Sequence, residues 1–551
     1  NPVDNSQTTV TTTYQYNDTL GKPTQISVTD GDTTRNTSFT YNTNGDLQKQ
    51  TSPNGLETEF TYDSHRFPTV KMHKGVKNAD GQLVTGSPGF SSGEITNQYV
   101  FNYQTGLKTS ETDGLGRTTT YTYDNLNRVT GVALPGGSSR SYDFDDSLRQ
   151  CKFINEKGQK TLFQFDVLGR LTDITKYKNQ SSPYLAYSKV TYKYDDFGRI
   201  DTVTNPYDPL NPPDPQIETK YQYDGLNRVT RVNFPGGAFA TLSYNDITNT
   251  VTITDENGGV VEERSDWAGR LTRAWQYCGY GEEELTYSWE FNYDSFGNRV
   301  RQTDPLWNQA IQEFDGFSQL TRTVLPQIEA ILPGGNEITP HQPEVRYEYN
   351  NMGQKKAETS PNGNEAEYDY DLLGRLVKVT TTVAAPYDQQ PAEPVTSYTR
   401  YYYDAAGNKT MVKDAKGNEW EYRYSVRNFL LEEEDPEGHI IRYQYDNLGN
   451  KTAVSDPRNS GGSDRLYTTW YIYDDLNRVV RTVLPDSTPP TDQELASGSY
   501  NNPYTEITYD IAGNKLTERD VNGLVTVYDY DERNRVTQVS LMDGTVKKIK
   551  S

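Results

Sequence analysis

Residues able to do acid–base or metal chemistry are few and scattered in this sequence. His65, His73, His341 and His439 lie far apart, and none stands in an HExxH or similar ligand spacing. A nucleophile–His–acid arrangement would require distant parts of the chain to converge, so solvent-exposed or turn histidines are the simpler reading. The acidic runs Glu282-Glu-Glu284 and Glu432-Glu-Glu-Asp435 would supply paired carboxylates for glycoside hydrolysis if they faced a substrate. Such runs repel one another and favour water, which makes solvated faces the stronger reading. Asp30-Gly-Asp32 is too short for a calcium loop. No phosphate-cradling glycine motif or dinucleotide fingerprint occurs. Cys151 and Cys278 have neither CxxC nor zinc spacing and read as two free thiols. The expectation is a chain with no catalytic residue, no metal site and no cofactor.

What the sequence does contain is one stretch written over and over. Tyr121-Thr-Tyr123-Asp124-Asn-Leu-Asn127-Arg128-Val129 returns around Tyr223-Asp224-Gly-Leu-Asn227-Arg228, Tyr370-Asp371-Leu-Leu-Gly374-Arg375 and Tyr473-Asp474-Asp-Leu-Asn477-Arg478. It returns again as Phe165-Asp166-Val-Leu-Gly169-Arg170. The second aromatic is placed at Tyr16, Tyr41, Tyr62, Tyr103, Tyr123, Phe144, Phe165, Tyr194, Tyr223, Tyr244, Tyr293, Phe314, Tyr349, Tyr370, Tyr403, Tyr424, Tyr445, Tyr473, Tyr509 and Tyr530. With Ser265 in a degenerate copy this makes 21 copies, most often 21 residues apart. A fixed period over the whole length means a repeat architecture.

The unit spells a β-hairpin. Tyr121 and Tyr123 alternate with Thr122, so both project from one face of a strand. Asp124 opens a turn, where its carboxylate accepts from backbone N–H groups two residues on. Asn127 or Gly169 at the fourth place tolerates positive φ, which fits a type I turn closed by a G1 bulge. This geometry sets Asp124 opposite Arg128, Asp166 opposite Arg170, Asp371 opposite Arg375 and Asp474 opposite Arg478. It also sets Tyr123 across from Val129. A second turn, often with Pro and Gly as in Ser52-Pro-Asn-Gly55 or Leu134-Pro-Gly-Gly137, completes the period.

The fold class expected is all-β: a long antiparallel meander of about 21 hairpins coiled into a spiral strip, tube or hollow shell, with almost no helix. Residues 1–551 read as one continuous array that cannot be packed solid, because only 33% are hydrophobic and 43 are Tyr. Insertion loops are expected at 176–189, 205–219, 276–288, 327–345, 381–398, 456–469 and 485–505, and one eroded repeat at 75–99. The Pro-rich stretch 205–215 is the clearest loop. A net charge of −22 argues against nucleic acid as a partner, and no apolar run is long enough for a membrane span. Asn1-Pro-Val-Asp4 is no signal peptide, and the chain reads as a segment of something longer.

The repeated Tyr-x-Tyr-Asp-x-x-Gly-Arg unit resembles the YD repeat of the Rhs family, which includes bacterial polymorphic toxins, the B and C components of insecticidal toxin complexes, and teneurins. The resemblance covers the whole chain and owes its specificity to copy number. It implies a hollow β-cocoon of spiralling hairpins that, in bacterial members, encloses a toxic C-terminal domain until delivery. The expected role is thus a non-catalytic shell, secreted, exported or at the cell surface, whose partners are an enclosed toxin or effector, or the rest of its own shell. The alternative is an adhesion or carbohydrate-binding module using its tyrosine rows on a cell-surface ligand. The Asp-Pro-rich core block that supplies self-cleavage in the family has no counterpart here. Asp435-Pro436 and Asp456-Pro457 are repeat turns, so self-cleavage residues are not assigned.

Overall fold

Alternation of Thr, Tyr, Val and charged residues leaves each short segment one face to bury, and the chain answers with strand after strand. The computed structural model describes residues 9–17, 19–31, 33–178, 185–213, 217–279, 284–331, 338–383, 395–458, 465–542 and 546–548. Forty-five strands occur among the described residues, with one 3-10 turn and one six-residue helix. Strands pair antiparallel with their chain neighbours. Thr118–Tyr123 lies against Val129–Ala133, for instance, and that strand against Ser139–Asp145. Exposure along Thr118–Tyr123 alternates residue by residue, with Tyr121 and Tyr123 both on the half-buried face. No helix of the described residues is long and apolar enough to cross a membrane.

The chain gathers into two compact units, one of Asn1–Thr118, Tyr244–Thr252 and Gly259–Trp420, the other of Thr119–Ser243, Ile253–Gly258 and Glu421–Ser551. Within the first, segments far apart in sequence meet turn to turn. The Asn54 side chain donates to the Leu372 carbonyl at 2.9 Å, across 318 residues. The Tyr402 hydroxyl donates to Asp80 at 2.9 Å, and burial with that carboxylate pushes its pKa up to about 12. Gly114 lies so close to Ala405 that a Cβ there would come within 2.5 Å of its carbonyl oxygen.

The second unit holds the best-formed core, where Ala453, Trp470 and Val483 are buried and Ile472, Leu495, Tyr500 and Tyr504 pack around them. Leu495 arrives on the helix Asp492–Ser497. Its start is a capping box: Thr491 Oγ1 accepts from the Glu494 N–H at 3.2 Å, and Glu494 accepts from the Thr491 N–H at 2.7 Å.

Several expected loops differ. Their described parts are lengthened hairpins: Leu171–Lys178 against Leu185–Tyr194, Leu271–Gly279 against Glu284–Tyr293, and Leu376–Val383 against Val395–Tyr403. Ile328–Ile331 and Ile338–His341 form a separate two-stranded ribbon. These inserts are rich in Thr, Tyr and Val, whose β-branched and aromatic side chains suit a pleated surface. Residues 179–184, 214–216, 280–283, 332–337, 384–394 and 459–464 of the expected insertions lie outside the described residues. Residues 485–505 hold the helix rather than a bare loop. Between Pro68–Lys74 and Ile95–Phe101, where an eroded repeat is expected, Lys77 and Leu83 form an isolated bridge around fully buried Val76.

Candidate functional site

The repeated turn is where the polar chemistry of this chain concentrates. In the turn at 124–128 the Asn127 N–H donates to the Asp124 carbonyl at 3.0 Å, and the Asp124 N–H to the Arg128 carbonyl at 3.0 Å. Asn127 has φ 65°, in the left-handed region, as have Asn227 at 65°, Asn477 at 62°, Gly169 at 78° and Gly374 at 82°. Those bonds and that φ define a type I turn with a G1 bulge. Asp124 Oδ1 accepts from the N–H groups of Leu126 and Arg128, both at 2.9 Å, while Oδ2 accepts from Arg128 Nε at 2.7 Å. The same ion pair measures 2.7 Å in Asp166–Arg170, Asp224–Arg228 and Asp474–Arg478, and 2.6 Å in Asp371–Arg375. Tyr123 faces Val129, after which Gly131 already faces Thr122, so a second bulge follows the turn at once.

That second bulge gives the tyrosine its purpose. Beside the shift lies the carbonyl of the first residue of the return strand. The next hairpin's second tyrosine reaches back and donates its hydroxyl to it. Tyr194 bonds the Leu171 carbonyl at 2.7 Å, Tyr223 that of Ile200 at 2.7 Å, Tyr370 that of Lys355 at 2.8 Å and Tyr473 that of Lys451 at 2.8 Å. The preceding arginine lies over the same ring, with its guanidinium carbon 4.4 Å from the Tyr194 centroid for Arg170 and 4.5 Å from Tyr509 for Arg478. It then donates to the next turn's carbonyl, as Arg375 does to Asp404 and Arg478 to Asp510, both at 2.9 Å. Where the unit carries all three, Asp, Arg and Tyr thus join a hairpin to its successor. The sequence pattern assigns Tyr to packing ladders or to a sugar-binding face, and not to this stitch. The signal for the stitch was the preference for Tyr over Phe at a position where packing alone accepts either. Tyr370→Phe should cost about 1 kcal/mol, the net value of one neutral intramolecular hydrogen bond, measured by denaturant unfolding against the parent chain.

One placement is corrected. The second aromatic near residue 103 is Phe101, which pairs with Lys108. This turn, opened by Asn102 and closed on Leu107, is one residue longer than usual. Tyr103 sits exposed in the turn and stacks on His65 at 5.1 Å. The opposite edge of the strip also uses Asp-opened turns, including Asp113–Arg117 and Asp304–Asn308, beside the Pro-Gly ones.

Of the scattered candidates among the described residues, Asp435 and His439 come together within one turn, and the acidic run before them is engaged by its neighbours. Glu432 pairs with Arg423 at 2.8 Å and Arg442 at 3.0 Å, and Glu433 accepts from the Tyr443 hydroxyl at 3.1 Å. Burial and Glu433 push Tyr443 up to about 12. Asp435, Glu437 and His439 offer ligand atoms within 4.8 Å of one another. Asp435 already accepts from the N–H groups of Glu437 and His439 and from His439 Nδ1, as an ordinary turn. Cys151 is a half-buried free thiol, pushed up by burial. The side chains of Cys278, Glu284 and His341, together with Asp32, Glu282 and Glu283, lie outside the described residues.

Two acid windows follow. His73, bonded to Thr58 Oγ1 at 3.0 Å, is lowered from 6.5 to about 4 by burial and by Lys71. Its folded state resists the proton, so stability is full above 6.5 and falls as pH drops toward 4. Hydrogen bonds from the backbone of Arg128, Arg170, Arg228 and Arg270, together with their guanidinium groups, hold Asp124, Asp166, Asp224 and Asp266 below the ordinary 3.8. Their contribution is present above 3.8 and lost as pH falls through the lower folded values. A pH series of urea midpoints should show both steps, and His73→Gln should flatten only the upper one.

Compared with known proteins, the chain matches the RHS Repeat family model at residues 41–75, 105–139 and 424–460. It is similar to the crystal structure of TcdB2-TccC3, at 12% identity and a TM-score of 0.42, over 97% of this chain and 36% of that one. It is also similar to the Photorhabdus luminescens Tc holotoxin pore carrying a TccC3 mutation, at 13% identity and a TM-score of 0.39, over 97% and 37%. The chain spans a little over a third of the length of these structures. No curated protein sequence matches it.

Proposed function

We propose that this chain, which carries RHS repeats, is a length of non-catalytic wall that encloses a toxin or effector polypeptide until delivery by an exported protein. The observation that carries the reading is how the repeat's reactive-looking groups are engaged. Asp accepts from its own turn and from Arg, Arg stacks on the next ring, and the Tyr hydroxyl bonds the preceding hairpin. Groups committed this way build a continuous sheet and are not available to a substrate. A wall also fits a composition with many half-buried tyrosines and few aliphatic residues, since a thin sheet needs amphipathic faces more than a filled core.

The test is protease protection on the complete native polypeptide to which these repeats belong. The enclosed region should be cut only after denaturant has opened the repeats. Prompt cutting of that region beside an intact array would overturn the enclosure reading. Adhesion remains the second reading, favoured by Trp267 and Trp307 standing almost free at turn tips. Sugar-specific signal on a glycan array, lost in Trp267→Ala and Trp307→Ala, would move the assignment there.

A further inference from the structure

In the second unit the strands from Ser139 to Phe165 depart from the repeat. Across the ladder from the second aromatic stand Val129, Leu171, Ile200 and Val229 in four hairpins, but Cys151 across from Phe144. On its other side Cys151 pairs with Phe163, and Phe165 follows two residues along the same face. A small side chain between two large ones leaves a gap. The result is an open cleft of about 430 Å³ walled by Phe144, Cys151, Phe163 and Phe165. That volume lies within the roughly 300–1,000 Å³ of small-molecule sites. Neither Phe144 nor Phe165 carries the hydroxyl that stitches other hairpins, so these walls are apolar.

The rim of the cleft is charged, and its charges do not cancel. Arg128 lies over the Phe144 ring at 4.2 Å and is answered by Asp124 at 2.7 Å and Asp146 at 2.6 Å. Asp166 is answered by Arg170 at 2.7 Å. Arg149 also lines the cleft, from its exposed side, and among the described residues nothing pairs with its guanidinium. Its φ is 53°, in the left-handed region, where the corresponding residue after Tyr244 is Asn249 at 52°. Asn tolerates that conformation, whereas a long side chain seldom adopts it. One positive charge is thus left over beside aromatic walls, held in a conformation that a smaller residue would meet at less cost.

We propose that this cleft binds a planar aromatic carboxylate, its ring between Phe144 and Phe163 above Cys151 and its carboxylate on Arg149. Flat rings pack favourably on phenylalanine faces and edges. The guanidinium fork matches the two oxygens of a carboxylate. An anion is chosen by complementarity to the unpaired Arg149, and a small one because a chain of net charge −22 repels large polyanions. The inference is independent of whether the wall encloses anything.

The test is calorimetric titration of the chain with 2-naphthoate and, separately, with its neutral amide, 2-naphthamide. The parent should bind naphthoate saturably at one site, and naphthamide more weakly. Arg149→Gln should weaken naphthoate by roughly tenfold or more, as loss of a charged hydrogen bond does, and leave naphthamide unchanged. Cys151→Leu fills the gap with the side chain that Leu171 already places across from Phe165, and should abolish binding of both with circular dichroism unchanged. In a Cys278→Ser chain, naphthoate should slow alkylation of Cys151 by iodoacetamide, a readout that needs no change within the cleft. A parent chain that binds no naphthoate would overturn the proposal. So would binding that persists in Cys151→Leu, alkylation of Cys151 at an unchanged rate, or equal losses of both ligands in Arg149→Gln.

Discussion

Trp470→Ala should lower the stability of the second unit by about 3–5 kcal/mol, the largest single loss expected from a core truncation in this chain. Trp470 is 6% exposed and Val483 fully buried beside it, in a sheet that elsewhere has few wholly buried side chains. Leu495 and Tyr504 pack against the same cluster. Removing it leaves a cavity that Ala453 is too small to fill and strands in a ladder cannot collapse upon. The matched control is Trp267→Ala. That side chain is 86% exposed at a turn tip, so its loss should stay within about 0.5 kcal/mol. Denaturant unfolding of both variants decides the point, and equal effects would mean the cluster is no core.

The second large effect is expected at Asp371. Its carboxylate is almost wholly buried, and it accepts from the Arg375 N–H at 2.9 Å and Arg375 Nε at 2.6 Å. Asp371→Ala strands a mostly buried guanidinium and an unsatisfied N–H, and breaking a buried pair on one side typically costs about 3–5 kcal/mol. The equivalent Asp224 is more open to water, and its ion pair is correspondingly screened, so Asp224→Ala should cost clearly less. Asp371→Asn should fall between, since a neutral amide oxygen can still accept the Arg375 N–H. The chain uses a neutral opener of this kind itself, where the Asn350 amide oxygen accepts from the Gln354 N–H at 3.1 Å. Urea midpoints should therefore rank Asp371→Ala lowest, then Asp371→Asn, then Asp224→Ala. Equal losses at Asp224 and Asp371 would show that burial does not set the cost.

The hairpin was legible because its information is local. Asp124, Asn127 and Arg128 lie within one turn, so residue preference and turn geometry specify them together. The stitch from Tyr223 to Ile200 spans 23 residues and depends on a bulge that no residue type announces. Phe101 was displaced to Tyr103 because spacing alone cannot see a turn lengthened by one residue. The helix Asp492–Ser497 did leave a mark, Thr491 three residues before Glu494, but six residues are too few for an apolar periodicity. The seams, such as Asn54 on Leu372, join sequence positions with no common motif, and only the fold brings them together. Burial of the turn tips follows from the same cause: Leu226 and Leu476 hold the same place in their turns, yet the first is exposed and the second half-buried.

The stitch also sets an order for synthesis. Where the second aromatic is Tyr and the turn closes with Arg, as from Arg170 to Tyr194, a hairpin receives its bonding hydroxyl, and the ring beneath its arginine, from the hairpin translated next. On a ribosome adding about 5–20 residues per second, such a hairpin waits on the order of seconds for the hydroxyl and the ring that its successor supplies. Completion then advances one unit behind elongation, always from the amino end. A nascent chain halted anywhere in the array would carry one unfinished hairpin at its growing end, with every earlier one already fastened.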